Sequence, residues 1–248
     1  SLTGIELPEG LTYIGSDAFY DCSSLTGIEL PEGLTYIGSD AFYDCSSLTG
    51  IELPEGLTYI GSDAFYGCSS LKSIMIPASV TDINTGAFDD CSNLEIIIVD
   101  ENNKEYDSRE DCNAIIATDI NRLILGCKNT TIPSGVTSIG GGAFSGCLGL
   151  EKIVIPEGVT GIGTLDTRGT FSGCSNLTSI TLPESLEFID GKVFFGCSGL
   201  TSIALPESLT YIGSEAFSGC SGLTSITLPD SVTTIGSGAF SDCSNLTD

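Results

Sequence analysis

Apolar residues recur along this chain in a fixed pattern with a period of 23 residues. The unit reads LxxIxLPxxLxxIGxxAFxxCxx, and the segments Leu2–Ser24 and Leu25–Ser47 are identical. Further units begin at Leu48, Leu71, Leu94, Leu150, Leu177, Leu200 and Leu223, and a degenerate unit begins at Cys127. Repetition at such a period indicates a solenoid, in which each unit stacks on its neighbours and buries a shared core.

The positions within one unit predict its local structure. In LTSITL the Ile and the second Leu are two residues apart, so both point to one side of a β-strand. The Pro that follows ends the strand, because it cannot donate a ladder hydrogen bond. A second apolar pair, such as Leu11 and Ile14, returns the chain along the core, and Gly15 permits a bend before a short helical turn. We therefore predict a right-handed parallel β-solenoid of about ten coils with short helical turns.

Two units are longer than the rest. Residues 100–127 contain two apolar runs on either side of Thr118–Asn121, a pattern that predicts a β-hairpin insertion. Cys112 and Cys127 are equidistant from its centre and should face each other, either bridged or as free thiols. A shorter loop insertion spans residues 164–169. We treat residues 1–248 as a single domain, cut from a longer protein that carries any signal or anchor elsewhere.

The motif LTSITLP…LTYIGSEAFSGCSGL resembles the BspA-like class of leucine-rich repeats, and the resemblance covers essentially the whole chain. It implies a leucine-rich-repeat solenoid at a bacterial cell surface or in a secreted protein. Members of the class are generally regarded as adhesins, and no catalytic site or cofactor is associated with the repeat. The implied function is non-catalytic recognition of a host or neighbour-cell protein or glycan. The alternative is a structural spacer or stalk that presents another domain, which the near-identical first three coils favour.

The charge and residue composition limit which partners the chain can bind and which chemistry it can perform. The chain has 33 acidic residues, 8 basic residues and no His, for a net charge of −25. Such a field disfavours nucleic acid and favours a basic partner, or it simply keeps the surface solvated. Without His there is no Ser-His-Asp triad and no His-ligated zinc, so we expect neither an enzyme nor a metal site. No apolar run approaches the ~20 residues of a membrane span, and we expect a monomer without direct membrane insertion.

Most cysteines occupy one repeat position, three residues after the Phe. In a parallel stack, neighbouring thiols would be ~4.8 Å apart, whereas a disulfide needs Cβ atoms nearer ~3.8 Å. We predict a buried ladder of free thiols, each a weak hydrogen-bond donor to a turn carbonyl. Its members are Cys22, Cys45, Cys68, Cys91, Cys147, Cys174, Cys197, Cys220 and Cys243.

The outward-facing positions of the first strand suggest a binding face. They are polar or small in the terminal coils but apolar in the middle coils. The predicted cluster comprises Met75, Ile96, Ile98 and Val154, with Lys72, Lys128 and Lys152 near its rim. An apolar cluster with a polar rim is typical of an interaction site, but the 100–127 insertion could equally cover Ile96 and Ile98 and extend the core. The second candidate is the acidic stripe Glu6, Glu29 and Glu52.

Two columns of tyrosines run through the first three coils. We interpret them as stacked side chains that stabilise the repeats, although aromatic columns can also bind ligands. The columns are Tyr13, Tyr36 and Tyr59, and Tyr20, Tyr43 and Tyr66.

Overall fold

The computed structural model describes residues 2–164 and 168–247. They belong to two compact units, Ser1–Asp119 and Ile120–Asp248. Each unit is a stack of β-coils of the predicted parallel solenoid, and the chain contains about ten coils of about 23 residues. The predicted loop insertion at 164–169 includes residues 165–167, which lie outside the described residues.

The first unit contains two parallel sheets and one antiparallel strand pair. Its strands are β1 (Tyr13–Ile14), β2 (Tyr36–Ile37), β3 (Tyr59–Ile60), β4 (Ser73–Ile76), β5 (Asp82–Ile83), β6 (Ile96–Val99), β7 (Tyr106–Asp107) and β8 (Ala114–Ala117). Strands β1, β2, β3 and β5 form one parallel ladder, and β4 pairs in parallel with β6. Strand β7 pairs antiparallel with β8, and a short 3₁₀ turn at Arg109–Asp111 lies between them.

The second unit repeats this arrangement with two parallel sheets. Its strands are β9 (Arg122–Gly126), β10 (Ser138–Gly140), β11 (Lys152–Val154), β12 (Gly161–Thr164), β13 (Ser179–Thr181), β14 (Phe188–Ile189), β15 (Tyr211–Ile212) and β16 (Thr234–Ile235). One ladder runs β9, β10, β12, β14, β15, β16, and β11 pairs with β13. All of these pairs are parallel, as the repeat predicts.

The longest ladder in each unit forms at the second apolar pair of the repeat, not at the LTSITL segment. Thr35 donates its backbone N–H to the carbonyl of Thr12 over 2.9 Å in this ladder. At the LTGIEL segment, the N–H of Thr26 reaches the carbonyl of Thr3 over 3.4 Å. Long bonds of this kind explain why the LTSITL position forms regular strands only at β4, β6, β11 and β13 among the described residues.

The core of each unit is a set of stacked columns, one for each apolar repeat position. Phenylalanines form one of these columns in each unit, with ring centroids 5.0–5.5 Å apart in parallel stacks. The largest buried side chains are Phe42, Phe65, Phe144, Phe171, Phe194 and Phe217. Because each coil supplies the same residue to the same column, stacking buries a face that a single coil would leave in water.

The AF segments differ from the predicted helical turns. Asp17 (φ 56°) and Asp21 (φ 52°) lie in the left-handed region on either side of Ala18 and Phe19. A left-handed residue interrupts an α-helix, so the segment forms consecutive turns. The N–H of Phe19 bonds to the carbonyl of Ala41 in the next coil over 2.7 Å, instead of to a carbonyl of its own turn.

The 100–127 insertion is attached to the first unit by polar contacts. The buried hydroxyl of Tyr106 accepts a hydrogen bond from the N–H of Ile83 over 2.9 Å. The side-chain amide of Asn103, also buried, donates to the carbonyl oxygens of Pro77 and Val80 at 2.8 and 3.0 Å. The two apolar runs recognised in the sequence form β8 and β9, and β8 pairs with β7.

Candidate functional site

Three large apolar side chains stand on the outer face of β4 and β6 in the first unit. Met75 is 50% exposed, Ile96 is 47% exposed and Ile98 is 46% exposed. Met75 is the register partner of Ile98, and Ser73 is the partner of Ile96. We call Met75, Ile96 and Ile98 the apolar patch. The alternate residues of both strands are buried in the core, as the period of two requires.

The alternative interpretation, that the insertion buries Ile96 and Ile98, is wrong. The insertion approaches the edge of β6 instead of its face. The N–H of Ile97 bonds to Oδ1 of Asn113 over 3.4 Å, and the N–H of Val99 bonds to Oγ of Ser108 over 3.1 Å. The side chains of Asn113 and Ser108 thus accept the hydrogen bonds of N–H groups at the edge of the sheet, while the outer face of the sheet stays open. Sequence reasoning missed both polar residues, because nothing in the repeat pattern marks them.

The remaining members of the predicted cluster lie partly in the other unit. Lys72 is exposed in the first unit, next to β4, and its carbonyl accepts the N–H groups of Glu95 and Ile96. In the second unit Val154 is 63% exposed and Lys152 is exposed, both on β11. Lys128, in the same unit, is half-buried.

The second unit holds Lys152 and Val154 on one face of the β11–β13 pair. Their register partners are Ser179 and Thr181. The aliphatic chain of Lys128 runs along Gly149, three residues before Lys152: a Cβ added at this glycine would meet Cδ of Lys128 at 2.6 Å. The structure therefore places Met75, Ile96 and Ile98 in one unit, and Lys128, Lys152 and Val154 in the other.

The acidic stripe occupies the same outward repeat position as Met75 and Ile98. Glu6, Glu29 and Glu52 are all exposed. The N–H of Lys72 bonds to the carbonyl of Thr49 over 3.4 Å, which places the coil of Glu52 beside the coil of Met75. Three glycines lie beside the stripe: Gly4, Gly27 and Gly50. A Cβ added at any of them would have no other atom within 4 Å. This part of the face is open and shallow.

The tyrosine columns stack as the repeat predicts. Ring centroids in the Tyr13, Tyr36, Tyr59 column are 4.6 and 4.4 Å apart, and those in the second column are 4.8 and 4.6 Å apart. The hydroxyl of Tyr66 donates to Asp90 over 2.5 Å, and this hydrogen bond together with burial raises the pKa of Tyr66. The interior rings cover one another's faces, whereas Tyr13 and Tyr20, in the first coil, are 54% and 49% exposed.

Each unit has a thiol column in its core. The Sγ of Cys45 donates to the carbonyl of Phe19, one coil earlier, over 3.2 Å. The same bond to the preceding Phe is made by Cys68, Cys91, Cys174, Cys197, Cys220 and Cys243. Burial raises the pKa of Cys45, Cys147 and Cys220 to about 12.

The insertion cysteines, like the column, have free thiols in the structure. Cys112 and Cys127 are both buried, and burial raises the pKa of Cys112 to about 11. No group of three or more Cys, Asp or Glu residues within 2–164 and 168–247 is placed to hold a metal ion. No helix in the described part of the chain is long and apolar enough to cross a membrane.

These features define the class of protein: a leucine-rich-repeat solenoid. Within that class, a family model for the BspA type leucine-rich repeat region matches residues 1–113 and 124–247 in six copies. The chain belongs to this family. No curated protein matches it.

Solved structures of bacterial repeat proteins share the fold. The chain is similar to a leucine-rich cell surface protein from Faecalibacterium prausnitzii, with 30% identity, a TM-score of 0.71, and coverage of 99% of this chain and 78% of that one. A leucine-rich repeat protein from Eubacterium ventriosum is 29% identical, with a TM-score of 0.56 and coverage of 100% and 84%. The pneumococcal vaccine antigen PcpA, at 24% identity, shares the fold with a TM-score of 0.74; the alignment covers 98% of this chain and 66% of that one.

Proposed function

We propose that the chain is a non-catalytic binding module of a bacterial surface or secreted protein, and that it recognises a protein or glycan on a host or neighbouring cell. The observation that carries this proposal is the open apolar patch of Met75, Ile96 and Ile98. Family membership supports it, as does the 30% identical relative described as a cell surface protein.

The patch has no role in the core that would explain its composition. Its side chains point outward, and the equivalent positions in the first three coils are Gly and Glu. A soluble protein rarely keeps adjoining large apolar side chains exposed unless another molecule covers them. The surrounding carboxylates repeat with the coil, as a surface pattern does, whereas an active site would break the pattern.

The proposal is tested by removing the patch without disturbing the core. A chain carrying Met75→Ser, Ile96→Ser and Ile98→Ser is compared with the native chain for adhesion to epithelial cells, extracellular matrix and neighbouring bacteria. The control is Leu148→Ser, which replaces an equally exposed side chain (47%) in the second unit. We expect adhesion to fall at least about tenfold for the patch variant alone, with melting temperatures within about 2 °C of each other.

A spacer is the second candidate, favoured by the identical first two coils and their stacked aromatic columns. A spacer needs length and stiffness but no particular outer face. Adhesion that is absent from the native chain, or that survives in the patch variant, would contradict the binding module and favour the spacer.

A further inference from the structure

We propose that the apolar patch and the acidic stripe form one docking surface for an extended, cationic polypeptide segment, in which an apolar anchor adjoins a run of Lys or Arg. This inference rests on the proposed function and names the chemical class of the partner. The anchor would lie on the patch, and the cationic run would cross the coils over Glu52, Glu29 and Glu6.

The two features form one continuous column in the first unit. The fifth repeat position reads Glu6, Glu29, Glu52, Met75, Ile98 in successive coils. Coils in a parallel stack are about 4.8 Å apart, so the column is on the order of 19 Å long. An extended segment of about six residues has that length, which makes the surface suitable for a short linear segment.

The negative charge of the first unit favours a cationic partner segment. Residues 1–119 carry 22 acidic side chains and three basic ones, and the acidic stripe has no basic residue within its own coils. A cationic run would be attracted from beyond contact distance, because the screening length at physiological salt is about 8 Å. Nucleic acid, anionic glycans and anionic lipid headgroups would be repelled by the same field.

The geometry favours recognition through side chains on the face. Strand addition at β6 is blocked, because Ser108 and Asn113 already accept the hydrogen bonds of its edge N–H groups. The glycines beside the stripe leave the face shallow, so a partner backbone can approach the carboxylates closely.

The binding experiment uses synthetic peptides as probes and the complete chain as receptor. The first peptide has two apolar residues followed by four lysines. Three comparison peptides replace the lysines by Glu, replace the apolar residues by Ser, or carry neither feature. Affinity is measured by calorimetry and by fluorescence anisotropy at low and physiological salt. We expect the first peptide to bind at least about tenfold more tightly than each comparison peptide.

Two receptor variants separate the parts of the surface. Met75→Ser with Ile98→Ser should weaken the first peptide about tenfold and leave the salt dependence unchanged. Glu6→Gln, Glu29→Gln and Glu52→Gln together should weaken it several-fold and flatten the salt dependence. The matched control removes three exposed carboxylates from the second unit, with Glu184→Gln, Glu187→Gln and Glu207→Gln, and should change affinity far less.

The outcomes distinguish this inference from the proposed function. If the patch variant loses cell adhesion but the chain binds no cationic peptide, or binds it equally after the stripe is neutralised, the docking inference is overturned and the binding module stands. Binding of a neutral glycan that needs the patch would also overturn it. If neither cells nor peptides bind through the patch, both proposals fail.

Discussion

The thiol of Cys45 donates a hydrogen bond to the carbonyl oxygen of Phe19 over 3.2 Å, and the two residues lie in adjacent coils. The bond links the thiol column to the turn that carries the phenylalanine column. Its repetition through both units means that the cysteine acts as a small apolar filler that also satisfies a buried carbonyl. Stability should therefore depend on the thiol itself and not only on its volume.

Replacement of Cys197 by Ser should destabilise the fold. Cys197 is buried, and its Sγ lies 3.1 Å from the carbonyl oxygen of Phe171. The shorter C–O bond of Ser would leave its hydroxyl farther from this carbonyl in an apolar column, at a cost of about 1–3 kcal/mol. Urea unfolding monitored by circular dichroism measures the loss. Cys22→Ser is the control, because Cys22 is half-buried in the first coil, and an equal loss there would contradict the prediction.

Stability should also decrease at alkaline pH. Burial raises the pKa of Cys45 and Cys220 from 9.0 to about 12, so the folded state holds these protons more tightly than the unfolded state does. Their contribution is fully present below about pH 9 and is lost as the pH rises through about 12. We expect the urea midpoint to fall between about pH 9 and pH 11. The Cys45→Ala, Cys220→Ala variant should show a shallower decrease.

The ten buried cysteines, all except Cys22, should react with a thiol reagent only after unfolding. Buried thiols with raised pKa values are mostly protonated and inaccessible, and both properties slow the reaction. Quantitative labelling in denaturant, without reductant, should count eleven thiols if Cys112 and Cys127 are free, as in the structure, and nine if they are bridged. Fewer than nine would contradict the free-thiol column.

The period of the repeat was enough to predict the core. Leu34, Ile37 and Phe42 are fully buried, as their repeat positions require, because equivalent residues in a stack must share one environment. The helical turn was a reasonable local prediction, since Ser16 and Asp17 resemble a helix cap. The neighbouring coil overrides it by accepting the N–H of Phe19, a contact between residues far apart in the sequence.

The candidate site was predictable only in part. Alternation along the strands placed Met75, Ile96 and Ile98 on the outer face, and the structure has them there. The sequence alone could not decide whether the insertion covers these three side chains. The position of the insertion depends on a few individual contacts made by residues outside the repeat. Tyr106 and Asn103 supply those contacts and hold the insertion against the coil of residues 77–83.

Replacement of Lys192 by Gly should stabilise the chain. Lys192 has a φ of 59°, in the left-handed region, which costs about 1 kcal/mol or more for a residue with a Cβ. Its ion pair with Glu215, at 3.7 Å between exposed side chains, contributes little. Lys192→Ala removes the same ion pair but keeps the Cβ, so the Gly variant should unfold at higher urea than the Ala variant. Equal midpoints would show that the turn carries no strain.

The last prediction concerns the glycine that follows the ladder isoleucine in most coils. A Cβ added at Gly61 would lie 2.4 Å from the backbone nitrogen of Ser39 and 2.5 Å from the carbonyl carbon of Gly38. Neither atom can move without separating two coils, because the N–H of Gly61 is bonded to the carbonyl of Ile37 at 2.9 Å. Gly61→Ala should therefore cost about 1–3 kcal/mol, as overpacking does elsewhere.

Gly15 provides the matched control for Gly61, at the same repeat position in the first coil. A Cβ there would meet only a ring carbon of Tyr13, at 3.7 Å, an ordinary contact distance. Gly15→Ala should leave the urea midpoint almost unchanged, or raise it slightly by reducing the freedom of the unfolded chain. If both variants lose stability equally, the glycine is required by the turn itself. A loss at Gly61 alone would establish that the close approach of neighbouring coils is what excludes a side chain.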